Sequence, residues 1–243
     1  MALSDNLIAY YKFDENTGST VGNIIDSANT GTWQGTLGSQ WTSAKLGVSA
    51  GNFNGTDNWV SLATGGQMGS TGSFSLACWV KYASAPAAQV VIIRKDNDGG
   101  TGGWGMGITQ EASGGFTGSI VYTSPSTVQV DSTESAAPST GVWHHFVAVW
   151  KNGLQISLYL DGSKTGSGGT TSGITLRTSN QVSTIGATST PASFFSGQID
   201  EVGFWNRALT VVEIALLYNY GNGLAHPFSN TPSVHFYSKQ GFS

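Results

Sequence analysis

The sequence predicts an all-β, single-domain protein with one short helix near its C-terminal end, and three observations carry that prediction. Short apolar runs that alternate with polar residues at period two recur along most of the chain. The segments between them are rich in Ser, Thr and the 34 glycines, the residues that turns between strands require. Only one stretch carries helical periodicity, and 243 residues lie within the range that an all-β sandwich or barrel occupies as one domain.

The strand signals, in order, are LIAYYKF (7–13), NWVSL (58–62), SFSLACWVKY (73–82), QVVIIRK (89–95), WGMGI (104–108), GSIVYT (118–123), WHHFVAVW (143–150), LQISLYL (154–160) and QIDEVGFW (198–205). In the third, Phe74, Leu76, Cys78 and Val80 share one face while Ser75, Ala77, Trp79 and Lys81 share the other, so the two faces meet different environments. Asn152-Gly153 supplies the positive φ angles of a tight turn and predicts a hairpin over 143–160. Asp161-Gly162 marks a second turn, after which a Gly/Ser/Thr loop is expected from 163 to about 173. Thr210 and Glu213 form a capping-box pair, Val211, Ile214, Leu217 and Tyr218 follow at helical spacing, and Gly221 and Gly223 offer a stop, which predicts a helix over 210–219. Residues 224–243 hold two prolines and no sustained period, so the domain is read as 1–223 and the remainder as an extended tail.

Composition narrows the function. Charged side chains make up 10% of the chain, against about a quarter in an ordinary domain, so the surface is built of small polar residues. A formal charge of −4 without a Lys/Arg cluster excludes a phosphate-backbone binder, and no apolar run is long enough for a membrane span. The single cysteine, Cys78, reads as a small buried hydrophobe with no internal disulfide partner. The N-terminal residues show no secretory signal pattern, and the low-charge surface suits an extracellular protein or one displayed on a virus or phage particle.

Taken in order, LIAYYKFDENTGSTV, DSANTGTWQGTL, GNFNGTDNWVSL, SFSLACWVK, VWHHFVAVWKNGLQISLYLDG, IGA (185–187) and FFSGQIDEVGFWNRALTVVEIALLYNYGNG resemble the laminin G-like jelly rolls of the concanavalin A-like lectin/glucanase superfamily, over about residues 7–223. The resemblance implies a two-sheet antiparallel jelly-roll β-sandwich in which the N-terminal strand pairs near the C-terminal one. It also makes the IDEV strand and the helix after it a structural signature. Asp200 and Glu201, as strand neighbours, point to opposite faces and are poorly placed to act on one substrate. A structural role is expected for them: pairing with Arg207, binding loop backbone or ligating a buried ion.

Some members of the superfamily are glycosidases that carry paired carboxylates as Glu-x-Asp-x-x-Glu, and this chain lacks that spacing. His144 and His145 lie where the family has histidine in a core strand, and no Gly-x-Ser-x-Gly turn exposes a serine. Many relatives use calcium, and pentraxins ligate it in loops that here read ASAPAAQ (83–89) and TSTPAS (188–193), without a carboxylate. Two other sets could take a hard cation: Asp96, Asn97 and Asp98 in a Gly-rich loop, and Asp14, Asp57 and Asp200, which fall in matching family motifs. A structural calcium is the one cofactor expected.

Sugar recognition needs aromatic platforms and hydroxyl-binding polar groups. Trp59, Trp79, Trp143, Trp150 and Trp205 fall in strands and are assigned to the core, whereas Trp104 lies among glycines beside Asp96, Asn97 and Asp98, and Trp33 and Trp41 lie in a loop-rich stretch. The expected function is non-catalytic recognition of surface glycans. The alternatives are a virion structural or decoration protein that binds other proteins, with the tail as a homo-oligomer contact, and a glycoside hydrolase.

Overall fold

A computed structural model describes residues 1–62, 72–96, 104–124, 128–133, 136–168, 175–176 and 182–229. Its strands in chain order are β1 (Leu7–Tyr11), β2 (Thr20–Val21), β3 (Gly31–Gln34), β4 (Trp41–Thr42), β5 (Ala50–Asn54), β6 (Trp59–Leu62), β7 (Phe74–Lys81), β8 (Val90–Asp96) and β9 (Trp104–Gln110). They continue as β10 (Phe116–Ser124), β11 (Val128–Thr133), β12 (His144–Lys151), β13 (Gln155–Leu160), β14 (Ser163–Gly168), β15 (Thr175–Leu176), β16 (Ser183–Ile185) and β17 (Ser196–Trp205), followed by α1 (Val211–Tyr218). Two antiparallel sheets form the sandwich predicted from sequence. One has the order β14-β13-β12-β7-β17-β5-β4 with β1 also on β17, and the other β11-β10-β9-β8-β16-β6-β3-β2 with β15 on β10.

The core lies between the sheets. Phe74, Leu76, Cys78 and Val80 of β7 face Ile92, Ile93, Ile108, Phe116 and Ile120 of the second sheet within one apolar cluster. The opposite face of β7 also meets apolar partners, because Ala77 joins Leu3, Leu7, Tyr10, Trp205, Ile214 and Leu217 in a second cluster. The central strands of the first sheet are therefore buried on both sides: inward by the second sheet, outward by α1 and the N-terminal turn. Leu224 and Phe228 pack against that outer cluster, so the packed body runs past the boundary expected at 223.

The turns follow their residue chemistry with one exchange. The β12–β13 hairpin closes over residues 152–154, with the Leu154 amide donating to the Lys151 carbonyl at 3.0 Å. Only Gly153 of the Asn-Gly pair is left-handed (φ 77°), so the loop has three residues. The two-residue turn is at Asp161-Gly162, where both residues have positive φ (49° and 77°) and Leu160 pairs with Ser163. That turn launches β14, where a loop was expected. Its residues, Ser163–Gly168, bury little and hydrogen-bond along the edge of the sheet, so no apolar alternation announces them. The helix has the expected capping box: the Thr210 hydroxyl accepts from the Glu213 amide, and the Glu213 carboxylate accepts from the Thr210 amide.

Candidate functional site: the outer face of the nine-stranded sheet

Period two decides which residues of the nine-stranded sheet face the core. Trp33, Val60, Ile185, Ile93, Ile108 and Gly118 are successive cross-strand partners that point inward. A Cβ at Gly118 would touch Ala148, Ile156 and Leu158 of the other sheet. The neighbouring row, Thr20, Thr32, Ser61, Thr184, Arg94, Gly107 and Ser119, must then point outward. From β2 to β10 it covers about 29 Å at the usual strand spacing of about 4.8 Å. Thr20 and Thr32 are exposed, Ser61 and Arg94 half-buried, and Thr184 and Ser119 buried.

Two residues along the strands, Trp59 of β6 pairs with Gln34 of β3 on the same outward face, and both are half-buried. Trp59 was assigned to the core from sequence. It instead shares the parity of Ser61, while Val60 and Leu62 fill the interior. Beyond this pair the same two chain segments are tied by Asp57, whose Oδ2 accepts from the Thr36 hydroxyl at 2.6 Å and its amide at 3.1 Å. Asp57 Oδ1 accepts from Asn54 Nδ2, and the hydrogen bonds from Thr36 and then Asn54 hold its carboxyl below the usual range. The face thus offers an indole ring, an amide, an ionised carboxylate, hydroxyls and, two strands away, a guanidinium.

Trp33 is 2% exposed and contacts Phe13, Trp41 and Phe53 in the core, which overturns its reading as a loop platform. Trp41 is half-buried on β4, packs edge-on against Trp33 and Phe13, and donates from Nε1 to the Gly18 carbonyl at 3.0 Å. Asp96 and Trp104 are cross-strand partners at the end of the β8–β9 pair, and Asn97 and Asp98 lie outside the described residues.

The expected convergence of Asp14, Asp57 and Asp200 on a cation is not present. Among the described residues, no group of three or more His, Cys, Asp or Glu side chains is arranged to hold a metal. The Asp14 and Asp200 oxygens instead bind one loop from its two ends. Asp200 Oδ2 accepts from the Lys45 and Leu46 amides (2.8 and 3.1 Å), and Asp14 Oδ1 accepts from the Val48 and Ser49 amides (2.5 and 3.4 Å). These oxygens face N–H donors where a cation would need vacant lone pairs.

The carboxylates of the IDEV motif lie at a bulge, where β17 changes neighbour from β5 to β1 and Glu201 adopts a left-handed φ of 51°. The bulge removes the simple alternation, so Asp200 and Glu201 are both buried. Burial is the largest cause raising Asp200 to about 8 and Glu201 to about 7, opposed by backbone amides at Asp200 and by the Tyr10 hydroxyl at Glu201. Of the structural roles expected, Asp200 takes the backbone-binding one. Arg207 pairs with Glu213, bidentately at 2.7 and 2.9 Å, and also donates to the Ala2 and Asp5 carbonyls.

Ser139, His144 and Asp161 have the spacing of a nucleophilic triad: Ser139 Oγ is 3.1 Å from His144 Nε2, and His144 Nδ1 is 2.7 Å from Asp161 Oδ2. Nε2 is also 2.9 Å from the Ser139 carbonyl, which can only accept. The side-chain hydrogen bond with Asp161 raises the histidine's pKa, and in the protonated ring Nδ1 donates to Asp161 while Nε2 donates to the Ser139 carbonyl. The arrangement clamps the loop before β12 to the β13–β14 turn. The adjacent His145 is its opposite, buried against Trp79 and pushed down to about 3 by desolvation.

No curated protein matches the chain significantly in sequence. Domain 4 of AbnA, a GH43 extracellular arabinanase from Geobacillus stearothermophilus solved with arabinotriose, superposes with a TM-score of 0.62 at 20% identity over 86% of this chain and 97% of that one. The binding domain of botulinum neurotoxin DC in complex with SialylT gives 0.66 at 13% identity, covering 90% of this chain and 52% of that one. Trypanosoma rangeli sialidase with sialic acid gives 0.63 at 16% identity over 88% of this chain but 33% of that one, so this chain spans about a third of the enzyme's length. At such identities these likenesses establish a shared fold. The laminin G model described as concanavalin A-like lectin/glucanases superfamily matches residues 54–215, from the end of β5 into α1. Well over half of the chain is thus covered by one family pattern on the fold that pattern requires, and the protein belongs to the concanavalin A-like lectin/glucanase superfamily.

Proposed function

We propose that this protein is a non-catalytic glycan-recognition module whose binding surface is the outer face of the nine-stranded sheet around Trp59. The observation that carries the reading is a tryptophan held half-open on a polar sheet face, beside Gln34, Asp57 and Ser61. An indole face takes the C–H face of a sugar ring while amide, carboxylate and hydroxyl groups bind its hydroxyls. The exposed Thr20 and Thr32 hydroxyls and the half-buried Ser61 then extend the contact beyond one ring. The fold likeness to an arabinanase domain solved with arabinotriose and to a toxin binding domain in complex with SialylT supports a carbohydrate ligand. Hydrolysis would need two carboxylates flanking a glycosidic bond, and the residues placed beside Trp59 include one, Asp57.

The low-charge surface fits display outside the cell or on a particle, and the virion decoration reading rests on that same surface. Binding to a panel of immobilised glycans, parent against Trp59→Ala, tests the reading. Glycan binding that the substitution abolishes supports it, and particle association with no glycan bound overturns it. Thermal melts with and without a chelator test whether a structural calcium is held at all: an unchanged midpoint is expected from the Asp14, Asp57 and Asp200 placements, and a lowered one would mean that an ion is bound elsewhere.

A further inference from the structure

Helix α1 is apolar on both sides. Ile214 and Leu217 enter the outer cluster with Tyr10 and Trp205, while Val211 (61% exposed), Val212 (66%) and Leu216 (47%) face solvent together with Ala215. The solvent side of a surface helix ordinarily carries its charges. Glu213, the one charged residue of α1, is instead buried and held by Arg207, which leaves the outer side without any. Past the helix end, Tyr220 is 95% exposed and left-handed (φ 52°, ψ 33°), next to the left-handed Asn219. Such a backbone is disfavoured for a bulky side chain and persists only when its surroundings impose it. Here Lys45 Nζ donates to the Gly221 carbonyl and Asn219 Nδ2 to the Gly223 carbonyl, fixing a turn that presents an aromatic ring to water.

We propose that this face is the contact of a two-fold dimer in which α1 packs antiparallel against α1 of a second copy. The spacing is self-complementary. A two-fold axis through the middle of the helix brings Val212 of one copy to Leu216 of the other, and the same axis brings Val211 to the end that carries Tyr220. Ala215 lies near that axis, and a small residue at the crossing lets two helices approach to about 8 Å, the near end of their usual separation. A face without charge suits its own copy, since neither side buries an unpaired ion. Covering Val211, Val212, Leu216 and Tyr220 removes roughly 500 Å² per copy, so about 1,000 Å² in all, the size at which a specific interface begins. Helix α1 and the outer face of the nine-stranded sheet lie on opposite sides of the sandwich, so the dimer leaves two copies of that sheet face open. On the glycan reading, two such faces hold a repeating surface with greater avidity than one; the dimer itself does not rest on that reading.

Sedimentation across a concentration series, with Val212→Glu and Leu216→Lys measured singly and as an equimolar mixture, tests the dimer without any glycan. The parent is expected to pass from monomer to dimer in about the micromolar range, as a small interface does. Each substitution alone sets a charge against an apolar side chain twice across the axis and should weaken association at least about tenfold. The mixture should regain the dimer, because the carboxylate introduced at position 212 of one chain then faces the ammonium introduced at position 216 of the other. A parent that stays monomeric up to about a millimolar overturns the proposal, as does a dimer whose dissociation constant neither substitution changes. Two weakened variants that do not pair when mixed overturn the antiparallel arrangement. Should either variant fail to fold, Leu216→Ser, which leaves the buried side of α1 untouched, gives the comparison with the parent.

Discussion

Trp33 and Trp59 are cross-strand neighbours by a single step of register, yet one fills the core and the other faces outward. Trp33→Ala should therefore cost about 3–5 kcal/mol of stability in a denaturant titration, as truncation of a buried aromatic does. Trp59→Ala should leave the midpoint close to the parent's. Both placements were legible in the sequence: in NWVSL, Trp59 alternates with Val60 and Leu62, and in GTWQ, Trp33 alternates with Thr32 and Gln34. The error came from weighing tryptophan by chemistry and the neighbouring glycines by flexibility, when the parity of the flanking residues carried the information. Asp200 and Glu201 were not legible in that way, because a bulge with a left-handed glutamate suspends alternation and no residue type announces it.

The buried titratable groups fix how stability responds to pH. Asp200 and Glu201 keep protons in the folded protein up to about 8 and about 7, whereas in the unfolded chain they ionise near about 4, so their contribution is full below that and lost as pH rises through 7 to 8. His144, raised by Asp161, acts in the same sense, with a contribution present below about 6.5 and lost as pH rises through its folded value. His145, depressed to about 3, acts oppositely: its contribution is present above about 6.5 and lost as pH falls toward its folded value. From about pH 6.5 to 8 the two carboxyls and His144 all weaken the fold together, so the thermal midpoint should fall over that interval. Glu201→Gln should flatten the decline, since an amide does not ionise and can still accept from the Tyr10 hydroxyl. A decline as steep as the parent's in that variant would place the titration elsewhere.

At the scale of elements, α1 depends on the ion pair at its first turn. Arg207 joins the Glu213 carboxylate to the Ala2 and Asp5 carbonyls, so one guanidinium fastens the N-terminal turn to the helix. Arg207→Ala should cost about 3–5 kcal/mol, the range for removing one partner of a buried pair, and should speed amide exchange in both residues 2–6 and α1. Exchange confined to the helix would mean that the N-terminal turn holds independently. The helix itself was legible because a capping box and helical spacing coincide in a few residues. The edge strands were not. β2, β4, β14 and β15 are short or poor in apolar residues, and their identity comes from the neighbours they pair with.

At the scale of the molecule, the two sheets divide the work. The central strands of the eight-stranded sheet are buried on both faces, with α1, the N-terminal turn and the 224–228 segment over their outer side. The nine-stranded sheet keeps a polar outer face whose open end carries Trp59. Composition alone pointed to a low-charge recognition surface, and the order of motifs pointed to the superfamily; which face remained open required the register of every strand. The most direct test of the account is calorimetric titration of the parent and Trp59→Ala with soluble arabino- and sialyl-oligosaccharides, both proteins first shown to share one thermal midpoint. Saturable binding by the parent that weakens at least about tenfold in the variant, the loss expected for about 1.4 kcal/mol of aromatic contact, is the predicted result. Equal affinity in the two proteins would contradict the assignment of the binding surface to the outer face of the nine-stranded sheet.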